Sequence, residues 1–502
     1  MNIAILDLYT DEPSGLGVPP FLGVYPRYAF GAATLLGHKC HYLRIDDLRY
    51  WNKPQKRTQK TNIFVANTTK NFLNVKQILE EAKIIIIISG VHTPGKYLSA
   101  VPGTLNEVSK YLKNYSAKKV LIGPGVFGSS HSGGKHGSTL IPAIIEPLKG
   151  TWGAVLRLLG KDGNDDYNCL KKIAIDGAKI LNQINQPSML ELETGRGCPR
   201  NPGCSFCLEP IKNRLAWREP EDIIEETTAL AQNGGEHFRL GKQTDFYKYN
   251  GGKPEIIEKL LSGLNKIKPK TLHIDNVSPT SVISKAGEEI TKLIVKYCTP
   301  GNVAAFGVES FDTEVIKQNN LNSSPSQVLE AISILNKHGS KVGKNGLPKF
   351  LPGLNLILGL KGETKESLRI NLEYLNKILS SGLMVRRINI RQVDVFPGTL
   401  MEQVGLKFLK KNKKHYFKFQ REVRTTIDHE MLKKIVPVGT KLKNVLMEVH
   451  DGKHTFGRQL GTYPLIVGIN ERIDLKKFYD IEVSSHMLRS VTGIIQKEHQ
   501  AI

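Results

Sequence analysis

Acidic side chains are in short supply: 47 Asp and Glu stand against 70 Lys and Arg in 502 residues, a formal net charge of +23. Such an excess points to a polyanionic partner, nucleic acid first, or more plainly to a Lys-rich solvated surface. Cysteine is also sparse. Six residues, three of them in one cluster, are too few for a disulfide framework and fit a reducing cytosol. Long apolar runs are missing as well. The most apolar stretch, KIIIIISG at residues 83–90, is far too short to span a bilayer and reads as a buried parallel strand. The N-terminus, MNIAILDLY, begins like a core strand and lacks a basic region followed by a signal-type apolar run. A soluble, cytoplasmic chain with no membrane partner is expected, long enough for about three domains.

What is present is concentrated in ELETGRGCPRNPGCSFCLEP, residues 191–210, where Cys198, Cys204 and Cys207 stand in a C-x5-C-x2-C spacing. Gly197, Pro199, Pro202 and Gly203 let such a loop fold back so that three thiolates converge. Three is the informative count. A closed structural zinc site takes four ligands, whereas a 4Fe–4S cluster on three thiolates leaves one iron open. A zinc knuckle completed by Cys169 or a His is the other reading of the spacing.

Around this loop the chain divides into four expected parts. Residues 1–165 alternate strand and helix signals, as in a doubly wound parallel sheet with ligands at the carboxyl ends of its strands. CHYLRIDDL reads as its second strand, and the Gly-rich stretches TDEPSGLGVPPFLG and VFGSSHSGGKHGS as its loops. Residues 187–404 repeat the α/β alternation. Residues 405–433 form a connector that opens with GLKFLKKNKKHYFKFQREVRT, eight Lys and Arg against Glu422, interleaved with Phe408, Tyr416, Phe417 and Phe419. Bases of this kind neutralise phosphates and aromatics stack on nucleobases. A solvated helix with its aromatics packed inward is the alternative. Residues 434–498 carry short strands at regular spacing, a small β-barrel signature.

The cysteine loop resembles that of radical S-adenosylmethionine (SAM) enzymes, including the aromatic, Phe206, before the last cysteine. The first gap is two residues longer than the usual CxxxCxxC. Further segments follow in matching order. GKQ places Lys242 and Gln243 after the second barrel strand; GVES places Glu309 and Ser310 after the fourth. GLNLILGLKGET resembles the adenine-contacting segment through Asn355, Ile357, Gly359 and Glu363, and FPGT closes the sixth strand. The GGE of residues 234–236 precedes its strand and is not taken as the SAM amino-group motif. The N-terminal part resembles the Rossmann-like domains of cobalamin-binding radical SAM enzymes and of methylthiotransferases. It lacks the cobalamin-ligating DxHxxG, and it has only Cys40 where methylthiotransferases carry three cysteines. The C-terminal part resembles the RNA-binding TRAM domain through Gly457, Arg458 and Gln459, residues 464–468, and residues 489–493.

The resemblance implies an α/β fold in three parts: a doubly wound Rossmann-like domain, a partial (β/α)6 radical SAM barrel and a small β-barrel. It implies a 4Fe–4S cluster on Cys198, Cys204 and Cys207, with no catalytic residue beyond these ligands. SAM would sit against Lys242, Gln243, Glu309, Ser310, Asn355, Ile357 and Gly359, and be cleaved reductively to a 5′-deoxyadenosyl radical. Cobalamin is a further cofactor without a ligand motif to support it. RNA, tRNA in particular, is the expected substrate, contacted by Lys410, Lys411, Lys413, Lys414 and Arg458 and modified by methylthiolation or methylation. A ferredoxin or flavodoxin is the expected electron donor. The alternatives are a radical SAM enzyme acting on a protein or small molecule, with or without cobalamin, and a non-enzymatic iron–sulfur or zinc RNA-binding protein. Cys298, on a helical pattern, is expected to be a core thiol.

Overall fold

The computed structural model describes residues 1–10, 19–52, 69–90, 100–127 and 141–499. Both Gly-rich loops of the N-terminal part fall largely outside these residues. The chain forms two compact units, Met1–Leu192 with Arg218–Phe238, and Glu193–Trp217 with Arg239–Ile502.

The first unit is built on a parallel sheet in which Lys39–Arg44, Asn2–Asp7, Ile84–Ile88, Lys118–Ile122 and Glu146–Pro147 follow one another. Ile84–Ile88 is five isoleucines, all buried, as a central strand covered on both faces demands. Counted along the chain the order is 2-1-3-4-5, so the strand order reverses between Asn2–Asp7 and Ile84–Ile88, the usual place for a ligand in such sheets. CHYLRIDDL is not all strand. The strand stops at Arg44 and a helix, Ile45–Trp51, begins at once. The Asp47 carboxylate accepts the Arg44 backbone N–H at 2.7 Å and so caps the helix where an extended strand was expected. A second departure is Phe21–Leu22, a two-residue strand parallel to Met189 and Leu190. Beneath the surface, Glu226 on the helix Pro220–Gln232 takes Arg27 and Arg218 together, the latter at 2.5 Å, and all three side chains are at most 1 % exposed.

The second unit carries a parallel four-stranded sheet, Asn276–Val277, Asn302–Glu309, Phe350–Leu358 and Arg387–Gln392. The helices Gly287–Tyr297, Pro325–Gly339 and Lys365–Ser380 connect its strands. Local signals set their ends: the Ser324 backbone N–H donates to the Gln327 side chain at 2.9 Å while the Ser324 hydroxyl accepts from the Gln327 N–H, a reciprocal cap. The strands Met189–Glu193 and His237–Gly241 each cross from one unit to the other.

The chain ends in a closed five-stranded barrel, Lys441–Asp451, His454–Gln459, Ile466–Ile469, Phe478–His486 and Ser490–His499. Its core of Val445, Met447, Val467, Ile481 and Val491 continues into Leu347, just before Phe350–Leu358, and Leu351 within it. Residues 460–463 lie along residues 271–275. Thr271 donates to the Leu460 carbonyl at 3.0 Å, the Thr462 N–H to His273 Nδ1 at 3.1 Å, the Thr462 hydroxyl to the Ile274 carbonyl at 3.3 Å and the Tyr463 hydroxyl to Asp275 at 2.7 Å. His273 is buried, and burial pushes its pKa down to about 4. The ring is therefore neutral, free to accept on Nδ1 while Nε2 faces the Pro300 carbonyl at 3.3 Å. Among the described residues no helix is long and apolar enough to cross a membrane.

Candidate cluster loop and active site

The cysteine loop is closed at its base by a short antiparallel pair, Gly195–Arg196 with Ala216–Trp217. Gly197 then turns with φ +81°, and a Cβ there would stand 2.6 Å from the backbone of Arg214 and Leu215, so only glycine fits. Its N–H donates to Glu209 at 2.8 Å, and Asn213 donates to the same oxygen at 2.8 Å. A tight turn brings the Cys207 N–H to the Cys204 carbonyl at 3.0 Å.

The loop is held from outside by two residues after the helix Thr313–Gln318. Asn319 accepts from the Ser205 hydroxyl at 2.7 Å. Asn320, at φ +50°, donates to the Pro202 and Gly203 carbonyls at 2.7 and 3.0 Å and accepts Arg200 on its own carbonyl at 2.7 Å. Arg200 in turn points a guanidinium N–H at the Cys204 sulfur, 3.0 Å away. Sequence reasoning missed Arg200, Glu209, Asn319 and Asn320. The visible signal was QNNLN at residues 318–322, an Asn-rich turn after a helix.

Cys198, Cys204 and Cys207 are each half-buried and unbridged. Burial pushes the Cys207 thiol up to about 12, and the charges of Cys204 and Cys198 add to the rise. Burial also raises Cys204, against the pull of Arg200. The three thiols therefore sit within one another's electrostatic reach. Among the described residues no three His, Cys, Asp or Glu side chains are gathered as they would be around a single metal ion. A cubane cluster gives each thiolate its own iron and so needs a wider spacing than one ion does. A guanidinium on a thiolate sulfur offsets the negative charge that such a group carries. Three thiols within one another's electrostatic reach and a guanidinium at Cys204 fit such a cluster. Cys169 belongs to the first unit, where its N–H caps onto Asp166 at 3.0 Å. Cys298 stands at the end of the helix Gly287–Tyr297, partly exposed as a residue, while burial of its thiol group pushes the pKa up, as expected of a core thiol.

The residues expected around SAM fall into two groups. Gln243 is buried, accepting from Thr194 at 3.1 Å and donating to the Leu240 carbonyl at 3.3 Å. Ser310 is buried with Asn371 at 3.5 Å and the Asp312 N–H at 3.1 Å. Gly359, at φ +92°, is already approached by a side chain: a Cβ there would meet Leu409 at 2.8 Å. Its N–H donates to Glu363 at 3.0 Å, and Glu363 also accepts the Tyr416 hydroxyl at 2.5 Å. Burial holds that carboxyl up, at about 7.

The second group is more open. Asn355 and Ile357 are half-buried on Phe350–Leu358, and Asn355 pairs in register with Gly307 beside Glu309. Lys242 is half-buried just past His237–Gly241, with φ +69°. Glu309 closes its strand at φ +62°, after a bulge. Its Oε2 is buried with no hydrogen-bond partner, and burial pushes the carboxyl up to about 8. An orphaned carboxyl oxygen within electrostatic reach of Cys204 suits a cationic group such as the ammonium of SAM, whose charge would favour its ionised form.

The basic segment is the helix Lys407–Glu422. Lys410, Lys411, Lys413 and Lys414 are exposed on it, and Phe417 is 74 % exposed. Leu409, Tyr416 and Phe419 are buried on the other face. Arg458 differs: its guanidinium takes Glu448 at 2.5 and 3.1 Å, and its side chain is only 12 % exposed.

A three-cysteine loop after the strand Met189–Glu193, in a chain of parallel strands joined by helices, is the arrangement expected of a radical SAM enzyme. The chain belongs to the radical SAM superfamily, whose family model matches residues 192–375. More particularly, it is 43% identical to the uncharacterised protein MJ0274 of Methanocaldococcus jannaschii, over 99% of this chain and 94% of that one. More distant relatives include the ribosomal protein uS12 methylthiotransferase RimO of Prochlorococcus marinus (strain MIT 9215), 23% identical over 64% of this chain and 71% of that one. Another is the tRNA-2-methylthio-N(6)-dimethylallyladenosine synthase of Clostridium novyi, 24% identical over 49% of each. Among solved structures, the apo form of the cobalamin-dependent SAM radical enzyme OxsB superposes with a TM-score of 0.52 at 13% identity, covering 83% of this chain and 61% of that one. Enzymes of this superfamily use a 4Fe–4S cluster and SAM.

Proposed function

We propose that Cys198, Cys204 and Cys207 hold the cluster and that the enzyme modifies an RNA, tRNA in particular, by methylthiolation or methylation. The observation that carries the RNA reading is the exposed face of the helix Lys407–Glu422, which belongs to the same compact unit as the cysteine loop and the terminal barrel. The methylthiolating relatives support the reaction class, one named for a tRNA product and one for a ribosomal protein.

A cluster bound on the three thiols would supply the single electron that cleaves SAM. The protein's own groups do the rest. Arg200 lies against Cys204 and offsets thiolate charge; Asn319 and Asn320 hold the loop in one conformation. Glu309 offers its unpartnered carboxyl oxygen to the SAM ammonium, with Asn355 near it in register on the next strand, and Lys242 and Ile357 are the further groups assigned to SAM. Gln243, Ser310 and Gly359 act from behind, by shaping the strand ends that present those groups. Lys410, Lys411, Lys413 and Lys414 attract the RNA backbone, and the terminal barrel serves as its TRAM-like platform. Arg458 is held by Glu448 and orders the barrel surface. Cobalamin enters only for the methylation branch. A ferredoxin or flavodoxin delivers the electron.

A second reading, a protein substrate, is favoured by the longer match to the uS12 methylthiotransferase. The test is anaerobic reconstitution followed by iron counting and an assay for 5′-deoxyadenosine from SAM and dithionite, for wild type and Cys204→Ala. About four irons, with nucleoside made by wild type alone, is the expected result; one tight zinc and no nucleoside refutes it. RNA is tested separately. Changing the four lysines to Gln should weaken tRNA binding and flatten its salt dependence, and unchanged binding would move the search to proteins.

A further inference from the structure

At the far end of the basic helix, four arginines share one carboxylate. The helix Lys407–Glu422 runs on through a π-helical turn, Val423–Asp428. Arg424 in that turn donates to Asp428 and, at 2.8 Å, to the Ile388 carbonyl. Arg489, from the terminal barrel, stands 3.7 Å from the same Asp428 oxygen. Arg387, at the start of its strand, lays its guanidinium 4.1 Å above the Tyr463 ring. Arg386 donates to the Tyr463 carbonyl at 3.3 Å, while its Nε is buried with no hydrogen-bond partner.

The other nearby acid is already committed. Asp275 takes Arg239 and the Tyr463 hydroxyl. Asp428 acts on all four guanidinium groups, Asp275 reaches only Arg387 among them, and the Asp428 side chain is only 9 % exposed. Uncompensated positive charge is thus held out of bulk water. The protonation balance says the same: burial and the charges of Arg387 and Arg489 pull Arg386 down to about 10, and burial and Arg424 do the same to Arg489. A cluster that served only to join the terminal barrel to the strands would be cheaper with its charges balanced. The site is also reachable, since the Arg489 side chain is 51 % exposed.

We propose that Arg386, Arg387, Arg424 and Arg489 form a phosphate-binding site that seats a backbone phosphodiester of the RNA substrate. Guanidinium forks match phosphate oxygens in pairs, which lysines do not. The lysines of the adjoining helix attract the strand; the arginines fix its register. The phosphate chemistry stands on this cluster alone, whereas RNA as its source rests on the function proposed above.

The test uses the full reconstituted chain with two probes, an unmodified tRNA transcript and inorganic phosphate. Arg489→Gln is the main variant, because its side chain is half in solvent and its loss leaves the core intact. Lys433→Gln, on the neighbouring exposed surface, controls for net charge, and Arg489→Lys keeps the charge while losing the fork. Expected is a fall of about tenfold or more in transcript affinity for Arg489→Gln, a salt slope shallower by about 0.7–0.9, partial recovery in Arg489→Lys and no change in Lys433→Gln. Millimolar phosphate at matched ionic strength should raise the melting midpoint of wild type and not of Arg489→Gln. A phosphate effect with transcript affinity unchanged in Arg489→Gln would overturn the RNA source in favour of a small phosphorylated molecule. Wild type stabilised by phosphate yet unable to bind transcript would overturn the RNA function and leave this site standing. No phosphate effect and no loss of affinity would overturn the site.

Discussion

Asn320 is the residue on which retention of the cluster should depend most visibly among those that do not bind it. It holds the cysteine loop by donating to the Pro202 and Gly203 carbonyls and sits at φ +50°. Replacing it with Ala removes both hydrogen bonds to the loop carbonyls, about 1 kcal/mol each, along with the Oδ1 contact to an Arg200 N–H that still keeps the Asn320 backbone carbonyl, and places an ordinary side chain in a left-handed conformation at a further cost of about 1 kcal/mol. The sum, about 3 kcal/mol, shifts the loop's closed-to-open equilibrium by about 150-fold, since 1.4 kcal/mol is about tenfold. Asn320→Gly removes the hydrogen bonds and keeps the backbone relaxed, for about 2 kcal/mol, close to 30-fold. The assay is the rate at which a chelator strips iron from anaerobically reconstituted protein. Iron should leave fastest from Asn320→Ala, more slowly from Asn320→Gly and slowest from wild type. Equal rates in all three would show that Asn320 does not secure the loop, and the reasoning would fail.

His273 should make the junction of residues 460–463 with residues 271–275 sensitive to acid. Its pKa falls from 6.5 unfolded to about 4 folded, so the unfolded state binds the extra proton between those values; its contribution is complete above about 6.5 and lost as pH falls toward 4. Thermal melts over this range should show a slope that His273→Asn lacks. Glu226→Ala leaves Arg27 and Arg218 buried without their acid and should cost about 3–5 kcal/mol in denaturant unfolding of the first unit; a loss under 1 kcal/mol would contradict the burial. Gly359→Ala drives a methyl into Leu409 and should destabilise the second unit by about 2–4 kcal/mol, with Leu409→Ala in the same chain restoring part of it. Phe417→Ala touches little in the folded protein and should leave stability within about 0.5 kcal/mol. The same change should cost about 1–3 kcal/mol of RNA affinity if the exposed ring stacks on a base.

The order of strands and helices was legible because each announces itself locally. Ile84–Ile88 is apolar throughout, Phe350–Leu358 ends at a glycine, and Ser324 and Gln327 mark a helix start. The cysteine spacing was legible for the same reason, since its ligands are ten residues or fewer apart. What escaped was tertiary. The strand at Lys39–Arg44 ends early because of a side chain three residues on. Leu409, fifty residues from Gly359, fills the space that a strand-end glycine suggested was kept for a ligand. Arg458 looks like a free cation until Glu448 is placed beside it on the neighbouring strand. The arginines of the proposed phosphate site come from three separate stretches, and no local pattern connects them.

The bonds between residues 460–463 and residues 271–275 change how substrate selection must work. A terminal module on a flexible tether would search, and many target positions would come within its sweep. Here the module shares a core with Leu347 and Leu351 and is stitched to a barrel strand. Whatever it grips is presented at a set distance and angle, as by a jig. If the proposed RNA function and phosphate site hold, substrates would be distinguished by their own dimensions, the span from the gripped phosphate to the reacting atom, and an RNA one nucleotide too short or too long would be bound and left unmodified.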